Sequence, residues 1–319
     1  VDFEATMTNA HWPSLELARW QETRATLHLL TQIVGKTRLA LAPPQNHWWH
    51  VPLYVSARGL TTSAVPWREH ALELEFDLLQ HSLEIRSSLG QTASIALGSR
   101  PVAHFFRDYL AVLDAFNIRA QFLKRPVEVR ESIPFEQDFK HRTYDPEWAN
   151  SLWRVLVQIR NVFERFRGDF VGKASPVHFF WGSFDLAASR FSGRRAPLHP
   201  GGAPNLADWV MQEAYSHEVS SAGFWPGDET FPEAIVYAYS YPEPPGFAAA
   251  PVAPTEARYD TTLREFVLPY ERLRLLENPE EKLLEYLRTT YAAAATLGRW
   301  DRGAVERSPR RAGDGRPES

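Results

Sequence analysis

Two stretches of this chain follow the same order: a helix-patterned segment, a Val-Gly-Lys triplet, a proline, then a histidine within an aromatic run. The first passes through Val34-Gly35-Lys36 and Pro43-Pro44 into a segment from His47 to Arg58 that contains Trp48, Trp49 and His50. The second passes through Val171-Gly172-Lys173 and Pro176 into a segment from His178 to Arg190 that contains Trp181, Gly182, Ser183 and Asp185. A repeated order restricts the fold strongly, because each copy must bury a similar apolar face. The reading is an α+β fold of two similar helix–strand–strand–helix halves, 15–125 and 145–300, with mainly antiparallel or mixed sheets, flanking helices and a cleft between halves. The halves form one globular domain over 15–301. Residues 1–14 read as an N-terminal extension, and the Arg/Gly/Pro-rich stretch 302–319 as a disordered tail.

Periodicity supplies the elements. Leu17, Trp20, Leu27, Leu30, Ile33 and Val34 make one apolar stripe, which predicts a helix over 15–41 ended by Pro43-Pro44. His47 to Arg58 and His178 to Arg190 read as aromatic strands. Leu72, Leu74 and Phe76 alternate with Glu73, Glu75 and Asp77, and 82–87 and 92–97 continue the strand pattern. Helices are expected over 102–116, over 146–170 behind the N-cap Asp145 and Pro146, over 206–217 and over 279–297. Glu233 to Tyr241 reads as a strand.

The runs Asn46-His47-Trp48-Trp49-His50, His178 through Leu186, Arg190-Phe191-Ser192-Gly193-Arg194, His199-Pro200-Gly201-Gly202 and Glu213 through Glu218 carry a resemblance. From about Trp12 to Asp301 the chain resembles an uncharacterised bacterial family, a domain of unknown function. The resemblance brings no activity, cofactor or catalytic residue.

Composition narrows the chemistry. Without cysteine there is no thiolate catalysis, no disulfide and no Cys-based metal site. A net charge of −4 gives no global field for nucleic acid or an anionic membrane. No apolar run reaches about 18 residues, and the first residues lack the pattern of a signal peptide, so the expectation is a soluble, cytoplasmic protein. No nucleotide-cofactor motif and no serine-hydrolase elbow occur.

Several constellations remain. Glu213 and His217, four apart on the expected helix, project from one face. They suit a divalent metal or a carboxylate-oriented general base, with Glu218 adjacent; an ordinary helix C-terminus is the other reading. Trp181, Ser183 and Asp185 would share one face of a strand and line a pocket, with His178 nearby if Gly182 bulges. Lys36 and Lys173 match in position, as do Arg58 and Arg190, and pairs meeting at a pseudo-dyad would hold an anion. Trp48, Trp49, His50 and Trp225 would wall the cleft, and His199 begins a glycine-rich loop suited to a lid. The expectation is therefore an enzyme acting on a small polar or anionic metabolite by acid–base chemistry (elimination, isomerisation or ring closure, so a lyase or isomerase). His178, Asp185, Glu213 and His217 are its candidate catalytic groups. Trp48, Trp49, His50, Arg58, Trp181, Arg190, His199 and Trp225 are its candidate substrate contacts. A metal-dependent enzyme using Glu213 and His217, and a non-catalytic small-molecule binding protein, are the alternatives.

Overall fold

The computed structural model describes residues 11–308. Its first long helix, α1 (Gln21–Leu41), is buried on nearly every side from Thr23 to Arg38. A helix enclosed all round needs partners for its polar side chains, and it has them. Gln32 exchanges hydrogen bonds with the backbone of Val127 at 2.8 and 2.9 Å, and Tyr109 donates to Thr37 at 2.6 Å. The helix starts later than its apolar stripe suggests. Leu17–Arg19 forms a separate 3-10 turn. Leu15 and Ser14 are held by the Glu271 carboxylate instead. Trp12 is fully buried and donates to Glu280. Trp12, Pro13 and Ser14 are thus docked against the body; residues 1–10 lie outside the described residues.

The first half then builds strands β1 (Tyr54–Val55), β2 (Gly59–Thr61), β3 (Val65–Trp67), β4 (His70–Asp77), β5 (Ser82–Ser87) and β6 (Thr92–Ala96). They form one antiparallel sheet in the order β1-β2-β4-β5-β6, with β3 also paired to β4. Leu72, Leu74 and Phe76 face the core as their alternation requires. Helix α2 (Val102–Ala115) closes this half.

The second half opens with α3 (Pro146–Gly168), whose Asp145 caps the backbone N–H groups of Glu147 and Trp148. Strands β7 (His178–Phe180), β8 (Asp185–Arg195), β9 (His217–Trp225), β10 (Ile235–Tyr241), β11 (Arg258–Asp260) and β12 (Glu265–Pro269) follow, with α4 (Asp208–Ala214) between β8 and β9. Their sheet is also antiparallel, ordered β11-β12-β10-β9-β8-β7. After it come α5 (Tyr270–Leu273), α6 (Pro279–Leu297) and α7 (Arg302–Val305). Paired backbone bonds of 2.8 Å between Leu53 and Phe179 join the two sheets. The fold is α+β with flanking helices, and both sheets are antiparallel rather than mixed.

Three expected elements differ. The segment from His47 is no strand: Asn46–Trp48 is a 3-10 turn with His47 and Trp48 at φ of 56° and 63°. Side-chain anchors impose this, since the His47 ring donates to the Ala214 carbonyl and the Trp48 indole to the Val210 carbonyl. The segment from His178 folds into a hairpin, with 181–184 as its turn. The helix expected over 206–217 ends at Ala214, because His217 onward alternates and pairs with β8 and β10. Residues 302–308, expected within the tail, are instead docked on the body. Asp301 caps α7, and Glu306 pairs with Phe170. Residues 309–319 lie outside the described residues.

Candidate functional site

The two faces of the second sheet have opposite characters. Leu186, Ala188, Phe224, Val236, Phe266 and Leu268 are buried on one face, which packs on α3 and α6. The other face is polar. Cross-strand register aligns Ala187, Gly223, Tyr237 and Val267 in one row and Ser189, Ser221 and Tyr239 in the next, with Glu265 two residues from Val267 on the same side. Asp185 begins β8 on this face.

Asp185 is the hub. It is 7% exposed and accepts hydrogen bonds from Ser183 at 2.8 Å and from the Tyr237 hydroxyl. The Tyr237 ring reaches it by lying flat over Gly223, where a Cβ would stand 2.2 Å from the ring. Burial pushes the Asp185 carboxyl above its ordinary value, against the pull of the two hydroxyl donors. Glu128 reaches in from the segment between α2 and α3. Its carboxylate crosses Gly182, where a Cβ would stand 1.9 Å from Oε1. Burial, with the neighbouring Asp185 charge, raises Glu128 to about 7, while Ser183 and Lys36 oppose the rise. Burial raises Glu265 to about 8, helped by Asp185 and Asp260. Lys36 lies 5.5 Å over the Trp181 ring, and burial lowers it to about 8.

Proton bookkeeping orders these groups. Ser183 has one hydroxyl proton, and it goes to Asp185. The Ser183 side chain also lies against Glu128, where its hydrogen bonding favours the ionised carboxylate. Ser183 thus stands between the Glu128 and Asp185 carboxyls, and Tyr237 braces Asp185 from the other side. Tyr239 extends the polar face through a 2.6 Å bond to Tyr215, and Ser189 and Ser221 are 2.8 Å apart.

A cleft of about 460 Å³ adjoins this cluster, with Arg24, His28, Glu128, Ser183, Trp225 and Asp228 among its lining residues. His28 donates through Nε2 to the Gly182 carbonyl at 2.8 Å, and burial holds it neutral, down at about 3. The Arg24 Nε is buried without a hydrogen-bond partner. A second depression, of about 420 Å³, lies along α6 and is lined by Glu281, Lys282, Glu285, Arg288 and Thr289. Lys282 and Glu285 pair there at 3.0 Å. Glu281 and Glu285 are open to solvent there, whereas Glu128 is buried at the first cleft, so the first cleft is the candidate site.

Of the residues singled out in the sequence, Asp185 sits at the centre and Trp225 lines the cleft. Trp181 is buried behind it: the indole fills the space a Cβ at Gly35 would need, and it donates to the Val51 carbonyl at 2.9 Å. His178 shares the polar side of the sheet, paired with Ala187, but is 1% exposed and has no protein partner for Nδ1; burial lowers it to about 3. His199 stacks on Tyr215 at 4.6 Å. Trp48 and His50 are 5.3 Å apart, and Trp49 packs against His47. Glu213 and His217 do not share a helix face: Glu213 is exposed on α4, while His217 begins β9. Among the described residues no group of three His, Asp or Glu side chains is placed to hold a metal. The anion clamp is not formed either. Arg58 pairs with Asp77 at 2.5 Å in the first sheet, and Arg190 lies on the helix-packed face with its guanidinium 3.4 Å from the Phe166 ring centre.

Glu128, Tyr237, Tyr239 and Glu265 were missed. Tyr237, Tyr239 and Tyr241 alternate along β10, a visible sign of a polar aromatic face. Glu128 lies in an irregular stretch with no periodicity to mark it.

No curated protein and no solved structure matches the chain. Residues 12–307 match the model of a family described as "Family of unknown function (DUF5996)". The match spans nearly the whole chain, both sheets and every residue of the candidate site, and the chain therefore belongs to this family.

Proposed function

We propose that this cleft is the active site of an enzyme that acts on a small polar metabolite by proton transfer. Glu128 is the proton donor, and Asp185, braced by Tyr237, is the anchor for a hydrogen-bonding group of the substrate. The observation that supports this most is the pair of buried carboxyls, Glu128 and Asp185, that meet on either side of Ser183 beside the cleft. Burial raises both carboxyls, and two neighbouring carboxyls can divide into a proton donor and an acceptor, the division of roles that elimination and isomerisation require. Trp225 offers a stacking wall and Arg24 a buried cation for an anionic substituent. Metal-dependent chemistry through Glu213 and His217 has no comparable support.

Proton transfer leaves an isotopic trace even when the product is unknown. The protein is incubated with a metabolite extract in deuterated water, and mass spectra are searched for compounds that gain deuterium or are converted. The expected result is a labelled or converted compound with the wild type and its loss with Glu128→Gln. Labelling that survives Glu128→Gln removes the assigned role, and no labelling by the wild type in varied extracts favours a binding protein.

A further inference from the structure

At the other end of the same polar face lies a cluster of opposite character. Phe191 is six residues beyond Asp185 on β8, which places it about 20 Å away along the strand. His47 packs on Phe191 with ring centres 4.4 Å apart, and His217 lies 5.6 Å from His47. The Lys173 ammonium is 2.7 Å from His47 Nε2 and sits over Trp49 and Phe191 at 5.6 and 5.4 Å. Arg195 is the cross-strand partner of His217. His47 Nδ1 donates to the Ala214 carbonyl at 2.8 Å, so Nε2 carries the lone pair and accepts from Lys173. This contact aims the ammonium and leaves two of its N–H groups for another acceptor.

No carboxylate balances these groups. No ion pair involves Lys173, His217 or Arg195 among the described residues, and the charges acting on His47 and His217 are cationic. The nearby acids are engaged elsewhere: Glu218 pairs with Arg194 at 2.6 Å, and Glu213 acts on His50. Lys173 and His217 are partly exposed and Arg195 is exposed, so the cluster opens to solvent.

We propose that Lys173, His217 and Arg195 bind a phosphate group, with His47 positioning Lys173 and Trp49 and Phe191 as an apolar wall. Three donors of different geometry, arriving from separate segments, suit a tetrahedral oxyanion better than a planar carboxylate, which one arginine fork satisfies. The site is separate from the carboxylate-lined cleft, and neither reading depends on the other.

The test is isothermal titration calorimetry with two probes, inorganic phosphate and phenyl phosphate, at constant ionic strength, with acetate as the planar control. The expected result is binding of a phosphate probe with a dissociation constant below about 1 mM, and much weaker binding of acetate. Tighter binding of phenyl phosphate marks a phosphomonoester as the ligand, with its ring on Trp49; equal binding marks free phosphate. Lys173→Met and Arg195→Gln should each weaken binding about tenfold or more, a loss of about 1.4 kcal/mol. Arg195 is exposed, so its variant stays informative if the Lys173 variant fails to fold. No heat with either probe up to about 10 mM, or unchanged affinity in Arg195→Gln, overturns the proposal.

Discussion

Replacing Glu128 with glutamine should make the protein more stable, and only at neutral to alkaline pH. In the folded chain Glu128 holds its proton to about 7, against an ordinary value of 4.5. Between these values the native state binds more protons than the unfolded chain, so wild-type stability falls as the pH rises through this window. The difference corresponds to about 3 kcal/mol, complete above pH 7 and below about 1 kcal/mol at pH 5. Glutamine keeps the shape of the protonated acid and never has to be charged in this setting. Urea unfolding of both proteins at pH 5 and pH 8 measures the effect. At pH 8 the variant midpoint should lie higher by on the order of 1 M urea, and at pH 5 the two should nearly coincide. An equal or lower midpoint at pH 8, or the same increment at both pH values, would refute the claim that Glu128 is strained by ionisation. Gain of stability with loss of proton transfer is the pattern of a group retained for function against the interest of the fold.

Gly223→Ala should cost about 1–3 kcal/mol in urea unfolding, since the new methyl would drive Tyr237 off Asp185; an unchanged midpoint would show that the tyrosine does not lie across β9. His28 and His178 take up protons only near 3, against an ordinary 6.5, so the unfolded chain gains protons first and stability is lost as the pH falls below 6.5. Imidazole nitrogen spectra should show both rings neutral at pH 5, and a protonated signal from either would contradict their burial. Asp145→Ala should lower stability by about 1 kcal/mol through loss of the α3 cap, read from the same unfolding curves.

Much of the fold is legible along the chain, and the exceptions share a cause. Helix α6 matches the predicted span from Pro279 to Leu297, and β5 matches 82–87, because repeats of three to four and of two report directly which side of an element is buried. The aromatic run at His47 carries strand propensity, yet it folds as a turn because His47 and Trp48 are anchored to α4, far away in sequence. The Glu213–His217 spacing is helical only while the helix lasts, and the β9 alternation ends it at Ala214. Asp185 could be singled out from its neighbours in the hairpin. Glu128 and Glu265 could not, since an acid in a loop or on a strand reads as solvated until something covers it.

Local patterning by itself determined the α+β class and the longer helices and strands, since these are written in periodicities no longer than a few residues. The tertiary structure decided which polar groups meet. Lys36, Glu128, Asp185 and Tyr237 come from four separate segments and converge on one face of the second sheet, while Arg58 and Arg190, matched in sequence, end on unrelated surfaces. The reason is physical: a side chain's type is local, but its loss of water and its neighbouring charges are set by whatever the rest of the chain packs against it, and those set its chemistry.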